Sequence, residues 1–326
     1  MSFRGRPFGV GPFFKEADVS SPISTQTKKR EENVAFWVLA LPAVVIYLFV
    51  MGFPTIFSVT LSMTNYTNGQ LFAPDTKMDF VWFKHYLVMF QDKYFWIALQ
   101  NNMSIVLISV FGQIPLGFIL AYVLYRKMVK LTGFWQNVLY IPVIISTIVV
   151  GILWQTIFSP ISGPITSVVR QFIPNWENTL MNDPNVAMIP VLFVILWMYT
   201  GTYMIIFLAN LQRIDSSILE AARIDGASET TVLTRIILPA LSGVIVTTAI
   251  LAISGSLRSF DLLFAMTGGG PAKQTSVLSL YMYDNAFKGA PDYGLANAIS
   301  TFMVVLSFAL IAITQMVERR FGGKEE

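Results

Sequence analysis

Six stretches of this 326-residue sequence are each long and apolar enough to cross a bilayer, and nothing else in it restricts the fold so strongly. A helix covers the hydrocarbon with roughly 20 residues. Residues 34–63, 102–125, 134–158, 186–211, 240–264 and 295–317 all reach that length. Between them they leave little to face water: 54% of the chain is hydrophobic and 13% charged, with a mean hydropathy of +0.61. A soluble domain carries roughly 25% charged residues. The expected fold is therefore an all-α membrane bundle of six spans. Pro42, Pro54, Pro115, Pro142 and Pro190 interrupt several stretches, as membrane helices tolerate when neighbours re-satisfy the freed backbone groups. The first stretch is too long for a signal-peptide core and lacks a following small-residue cleavage pattern, so it reads as a retained span.

Lysine and arginine set the orientation, because cytoplasmic connections are enriched in both. Fifteen of the 22 lie in the first tail, after the second and fourth stretches, and at the C-terminus. They are Arg4, Arg6, Lys15, Lys28, Lys29, Arg30, Arg126, Lys127, Lys130, Arg213, Arg223, Arg235, Arg319, Arg320 and Lys324. The alternate side has six: Lys77, Lys84, Lys93, Arg170, Lys273 and Lys288. Both termini are expected in the cytoplasm, which an even number of spans requires. The expected organisation is a tail 1–33, a first span with an external connection (34–97), a core (98–318) and a short tail (319–326). The connection holds Asn65, Gly69, Pro74 and an aromatic run at 80–83, and suits a small cap or an interfacial helix.

Several chemistries are excluded. With no cysteine there is no disulfide, thiolate nucleophile or cysteine-held metal. With His85 the single histidine, a two-histidine zinc site cannot form, and a lone loop histidine reads as surface. The pI near 9.0 reflects membrane topology rather than nucleic acid. Gly268-Gly269-Gly270-Pro271-Ala272-Lys273 superficially suggests a phosphate loop, but Ala272 stands where glycine is needed and Gln274 where a hydroxyl is needed. It reads as a flexible turn, with no catalytic, metal or cofactor site in this chain.

The most informative segment lies between the fourth and fifth stretches, RIDSSILEAARIDGASETTVLTRIILPAL (213–241). Asp215 or Ser216 can cap a short helix on which Ile214, Ile218, Ala221 and Ala222 recur at helical spacing. Gly226 suits the left-handed turn that follows, and Ser228 can cap a second helix carrying Val232, Leu233, Ile236 and Ile237. Pro239 marks return to the membrane. The segment is too polar to span and too amphipathic to be loose, leaving two readings: a helix on lipid headgroups, or a face for another protein. Glu220 and Arg223 can pair with each other or with that partner.

The spacing Glu220-Ala221-Ala222, Gly226, Ile236, Leu238-Pro239 resembles the EAA loop of ATP-binding-cassette importer permeases. The segment 260–287, FDLLFAMTGGGPAKQTSVLSLYMYDNAF, is similar to its counterpart in carbohydrate permeases of the maltose-system type. So are the first span, the start of the third (GFWQNVLYIPVIIS) and the run YFWIALQNN before the second. The likeness covers about 34–318 and departs at 80–86, where the family carries a Gly-Leu-Asp-Asn stretch. It implies a type I importer permease of the inner membrane, in bacteria or archaea. Glu220, Ala221, Ala222, Arg223, Asp225, Gly226, Ile236, Leu238 and Pro239 would form the contact with an ATPase dimer, which uses ATP and Mg. It also implies a different second permease, an extracytoplasmic binding protein, and a mono- or oligosaccharide as cargo.

Arg258 and Asp261 are the charges inside an expected span, three residues apart and so on one helical face. They read as an outer-gate ion pair or as pathway residues. Asn101, Asn102, Gln113, Trp154, Gln155, Trp197, Tyr199, Thr200 and Tyr203 are pathway candidates for stacking and hydrogen bonding, though aromatics at span ends also form interface belts. Two alternatives stay open. The same machine could carry glycerol phosphate, for which Arg258 alone offers a cation within the spans, or the chain could be an ion-coupled transporter, which needs ionisable groups near the midplane.

Overall fold

The computed structural model describes residues 25–67, 78–173, 177 and 180–321. Much of the two tails, and Gly69 and Pro74 of the external connection, lie outside these residues. Packing divides the chain into Met1–Ile56 and Phe57–Glu326. The first unit is helix α1, built from Thr25–Tyr47, a wide π-helical turn Leu48–Gly52, and the start of Phe53–Leu61. Its apolar side chains, among them Phe36, Leu39 and Phe49, are exposed, as lipid-facing side chains are.

The second unit is a bundle. After the end of α1 come α2 (Lys84–Gln91), α3 (Lys93–Tyr125), α4 (Thr132–Ile144), α5 (Thr147–Ile157), α6 (Pro164–Phe172) and α7 (Met188–Leu211). There follow α8 (Ser216–Ile224), α9 (Glu229–Ala240), α10 (Ser242–Leu257), α11 (Asp261–Met266), α12 (Leu278–Phe287) and α13 (Tyr293–Phe321). Among the described residues four helices qualify as spans by length and composition, and up to six if each of two bent pairs counts as one.

Two of the six expected spans are not single helices. In the third, α4 and α5 meet at 95° across Ile145-Ser146, just past Pro142. Ile145 and Ser146 both take extended backbone, with ψ 140° and 130°, which ends one helix and lets the next set off in a new direction. The fifth begins with a 64° bend between α9 and α10. It then breaks again at Arg258–Phe260, because α10 ends at Leu257 and α11 starts at Asp261. The second span begins earlier than expected, at Lys93, where the Asp92 carboxylate accepts from the Tyr94 amide at 2.9 Å.

Wide π turns recur at Leu48–Gly52, Ser109–Gln113 and Leu233–Ile237, and Pro54, Pro115 and Pro239 each follow two residues later. The wide turn moves the carbonyl that each ring would strike, so the helix continues rather than kinking sharply.

Two apolar clusters stack along the bundle. Toward the Glu220 end, Ala121, Leu124, Phe207 and Leu211 pack with Leu219, Val232, Ile237 and Leu241. Toward the other end, Val150, Val194, Met198 and Leu263 pack with Val277 and Leu280. Gly117 lets α3 approach α7 closely: a Cβ there would stand 2.7 Å from the Tyr203 Cβ. His85, expected at the surface, is buried; its Nε2–H donates to the Thr64 carbonyl at 2.8 Å, which ties the external connection down. The glycine-rich turn is also pinned rather than flexible. Thr275 Oγ1 donates to the Gly270 carbonyl at 2.7 Å, and the Asn101 amide donates to the carbonyls of Gln274 and Ser276.

Candidate functional site

The loop 213–241 folds as two short helices for reasons written in its residues. Asp215 caps α8, its carboxylate accepting from the Ser217 amide at 2.9 Å. Bonds from Ser217, the backbone amide first, hold the Asp215 carboxyl below its ordinary value. Gly226 adopts φ +78° and closes α8. Its amide donates to the Arg223 carbonyl at 3.0 Å, and the Ala227 amide donates to the Ala222 carbonyl at 2.9 Å. That pair of bonds is the Schellman arrangement, which needs a residue free to enter the left-handed region. Ser228 then caps α9 by accepting from the Thr231 amide.

Helix α8 is buried on one side only. Leu219 is the fully buried residue, supported by half-buried Ile214, Ala222 and Ala227, whereas Ile218 and Ala221 are exposed. Glu220, Arg223, Asp225 and Gly226 are exposed too, and Ile224 is 86% exposed. No ion pair joins Glu220 to Arg223 among the described residues. Further along, Ile236 and Leu238 are half-buried and Pro239 is exposed at the bend into α10. A helix anchored by one side, with an acid, a base and a large apolar residue open on the other, is a docking surface in form.

The break at Arg258–Phe260 opens a cavity of about 180 Å³ where the two apolar clusters meet. Tyr199 packs against both clusters and, with Tyr203, Arg258 and Asp261, lines it. Arg258 and Asp261 do not share a helical face, since they flank the break; nor do they form an ion pair among the described residues. Arg258 Nε instead donates to the Ser254 carbonyl at 3.2 Å. Other lining groups are already committed: Gln113 donates to the Ile195 carbonyl at 2.6 Å, and Ser256 to that of Ala252 at 2.7 Å. The hydroxyls of Tyr199 and Tyr203 have no hydrogen-bond partner among the described residues.

The remaining candidates divide. Trp154 stacks on Phe158 at 5.3 Å and meets Phe193 and Trp197 edge-on, away from this cavity. Its buried Nε1–H has no hydrogen-bond partner among the described residues. Gln155 lines a separate open groove with Ser162 and Asn182. Thr200 donates to the Leu196 carbonyl within α7. Asn102 is structural: its amide donates to the Ser256 carbonyl at 3.0 Å and accepts from the Leu278 amide at 2.7 Å, which ties the end of α10 to the start of α12. Ser109, Ser256 and Ser259, which line the cavity, were missed because a lone serine in an apolar run gives no periodic signal.

Comparison with known proteins bears on the chain as a whole. The sequence profile described as "binding-protein-dependent transport system inner membrane component" matches residues 113–323. A probable ABC transporter permease protein of Bacillus subtilis, YurN, is 31% identical over 300 residues, 91% of this chain and 99% of that protein. The lactose transport system permease protein LacF of Rhizobium radiobacter is 30% identical, covering 91% of this chain and 98% of its own. The multiple sugar-binding transport system permease protein MsmF of Streptococcus mutans is 31% identical over 293 residues, 89% of this chain and 96% of its own. Among solved structures, a chain of a bacterial ABC transporter involved in import of the acidic polysaccharide alginate superposes with a TM-score of 0.73. It shares 22% identity and covers 90% of this chain and 98% of that one. This likeness establishes the fold, that of an importer permease.

Proposed function

Because the chain belongs to the family of binding-protein-dependent transport system inner membrane components, we propose that it is a permease subunit of an ATP-driven carbohydrate importer. Its cargo is a mono- or oligosaccharide delivered by an extracytoplasmic binding protein. A different second permease completes the pathway, and a separate ATPase dimer holds ATP and Mg. The observation that carries this reading is α8, anchored through Leu219 while Glu220, Ala221, Arg223 and Ile224 stand free. Both termini and α8 lie in the cytoplasm on this reading, in line with the lysine and arginine distribution.

Closure of the ATPase dimer on ATP moves α8, the spans rock, and the cavity at Tyr199, Tyr203, Arg258 and Asp261 alternates between the two sides. The chain breaks no bonds of the sugar. Aromatic faces, free hydroxyls and a balanced pair of charges suit an uncharged, hydroxyl-rich ligand better than a phosphate, since Asp261 offsets Arg258 at the same cavity. The sugar permeases LacF and MsmF, similar along nearly their whole length, support the same cargo class.

Reconstitution in proteoliposomes with the ATPase, second permease and binding protein tests the proposal. ATP-dependent uptake of a labelled sugar is expected, with Gly226→Asp losing either uptake or ATPase association. Uptake by this chain alone, driven by an ion gradient, overturns it. Asp261→Asn and Tyr203→Phe should raise the sugar concentration for half-maximal uptake while leaving ATPase association intact.

A further inference from the structure

The two short helices of the loop are held to the bundle in different ways. Leu219, Ala222, Ala227, Val232 and Ile237 contribute apolar contacts to the cluster around α3 and α7. Such contacts are non-directional: they keep the loop against the bundle without fixing where it sits along α3. One polar attachment is directional. Glu229, the first residue of α9, takes the Arg126 guanidinium on Oε1 and the Tyr122 hydroxyl, at 3.2 Å, on Oε2. Tyr122 and Arg126 are four residues apart, so both point from one face of the end of α3. A carboxylate gripped on both oxygens by a cation and a hydroxyl is fixed in direction as well as distance. Its place in the first turn of α9 adds the helix N-terminus as a third favourable contact.

We propose that the Tyr122–Arg126–Glu229 clasp is a coupling strut, which makes Glu229 and Arg126 positioning residues for transport. The proposal rests on the reading of α8 as the ATPase contact. Between α8 and α9 the chain turns at Gly226, where one Schellman pair is the backbone connection. Without a strut, displacement of α8 is taken up by rotation at that turn. With it, α9 and the end of α3 move as one piece. The same α3 carries Ser109 and Gln113 in the cavity wall, so the push arrives where the ligand sits.

Side-chain exposures of 21% at Arg126 and 59% at Glu229 predict a small contribution to stability, as for most exposed ion pairs. The signature is therefore lost coupling in a protein that still folds. Glu229→Gln and Arg126→Gln should leave the melting temperature and ATPase association unchanged. Sugar moved per ATP hydrolysed should fall roughly threefold, the scale of one exposed pair. The exchange Arg126→Glu with Glu229→Arg should recover the ratio that either reversal alone loses. Because the chain has no cysteine, Arg126→Cys with Glu229→Cys offers a second arm. A short bifunctional thiol reagent bridging the pair should raise the ratio above that of the unbridged pair. An unchanged ratio in Glu229→Gln, or recovery in neither the exchange nor the bridged pair, overturns the strut. A Gly226→Asp importer that transports normally overturns the coupling reading itself, and the strut with it. If Gly226→Asp fails while Glu229→Gln transports normally, the strut alone is wrong.

Discussion

Asn102 is fully buried among apolar side chains, and it is stable there because both ends of its amide are used. Asn102→Leu keeps the volume but leaves the Leu278 amide without a partner, while the Ser256 carbonyl keeps the Ser259 amide at 3.3 Å. A buried orphan costs roughly 1–3 kcal/mol, so the detergent-solubilised protein should melt several degrees lower. Asp215 makes a prediction in pH. Its carboxyl is held below the ordinary value by Ser217, so the capping contribution is complete above the unfolded-state value and lost as pH falls through the lower folded one. Hydrogen-exchange protection at the start of α8 should stay level from neutrality down to the ordinary carboxylate value and fall progressively below it. Asp215→Ala should lower it at neutral pH, with the difference from wild type shrinking in acid.

At the scale of the element, what could be read from the sequence was what local rules govern. The caps at Asp215 and Ser228 and the turn at Gly226 depend on residues within one turn of each other, and they fall at the expected positions. Spacing alone does not choose the buried side of α8, because Ile218 and Ala221 fit a helical period as well as Leu219 does. Which stripe faces inward is decided by α3 and α7, far away in sequence. The break at Arg258–Phe260 was hidden for a related reason: an apolar run looks the same whether or not a distant Asn102 ties the end of its first half to another helix. The two sites therefore differed in legibility, the docking helix being a local motif and the cavity a meeting of helices. Gly226→Ala tests the turn as an element. A Cβ there meets nothing within 4 Å, but φ +78° strains any L-residue, at a cost of about 1 kcal/mol. Transport per ATP should fall, and by less than in Gly226→Asp, which adds a charge to the exposed face.

For the whole molecule, orientation is the property on which the mechanism depends, and the absence of cysteine makes it directly measurable. Ser217→Cys on α8 and Ser162→Cys in the turn between α5 and α6 both occupy exposed positions. An impermeant thiol reagent added to intact cells should label Ser162→Cys, and Ser217→Cys only after the membrane is opened; the reverse pattern would invert the topology. The wide turns before Pro54, Pro115 and Pro239 have a consequence for how the chain can change in length. In α3 the stripe of Asn102, Ile105 and Val106 continues past one of them as Ile114, Gly117, Ala121 and Leu124, all buried. The turn thus contains one residue more than regular winding needs, yet returns the helix to the same face. A single deletion within residues 109–113, made together with Pro115→Ala so that no ring strikes the restored turn, should return ordinary winding and leave both halves of the stripe in place. The same deletion a turn later would swing everything beyond it by about 100°. The helix carries its own vacancy for a one-residue edit, and the proline marks where it is.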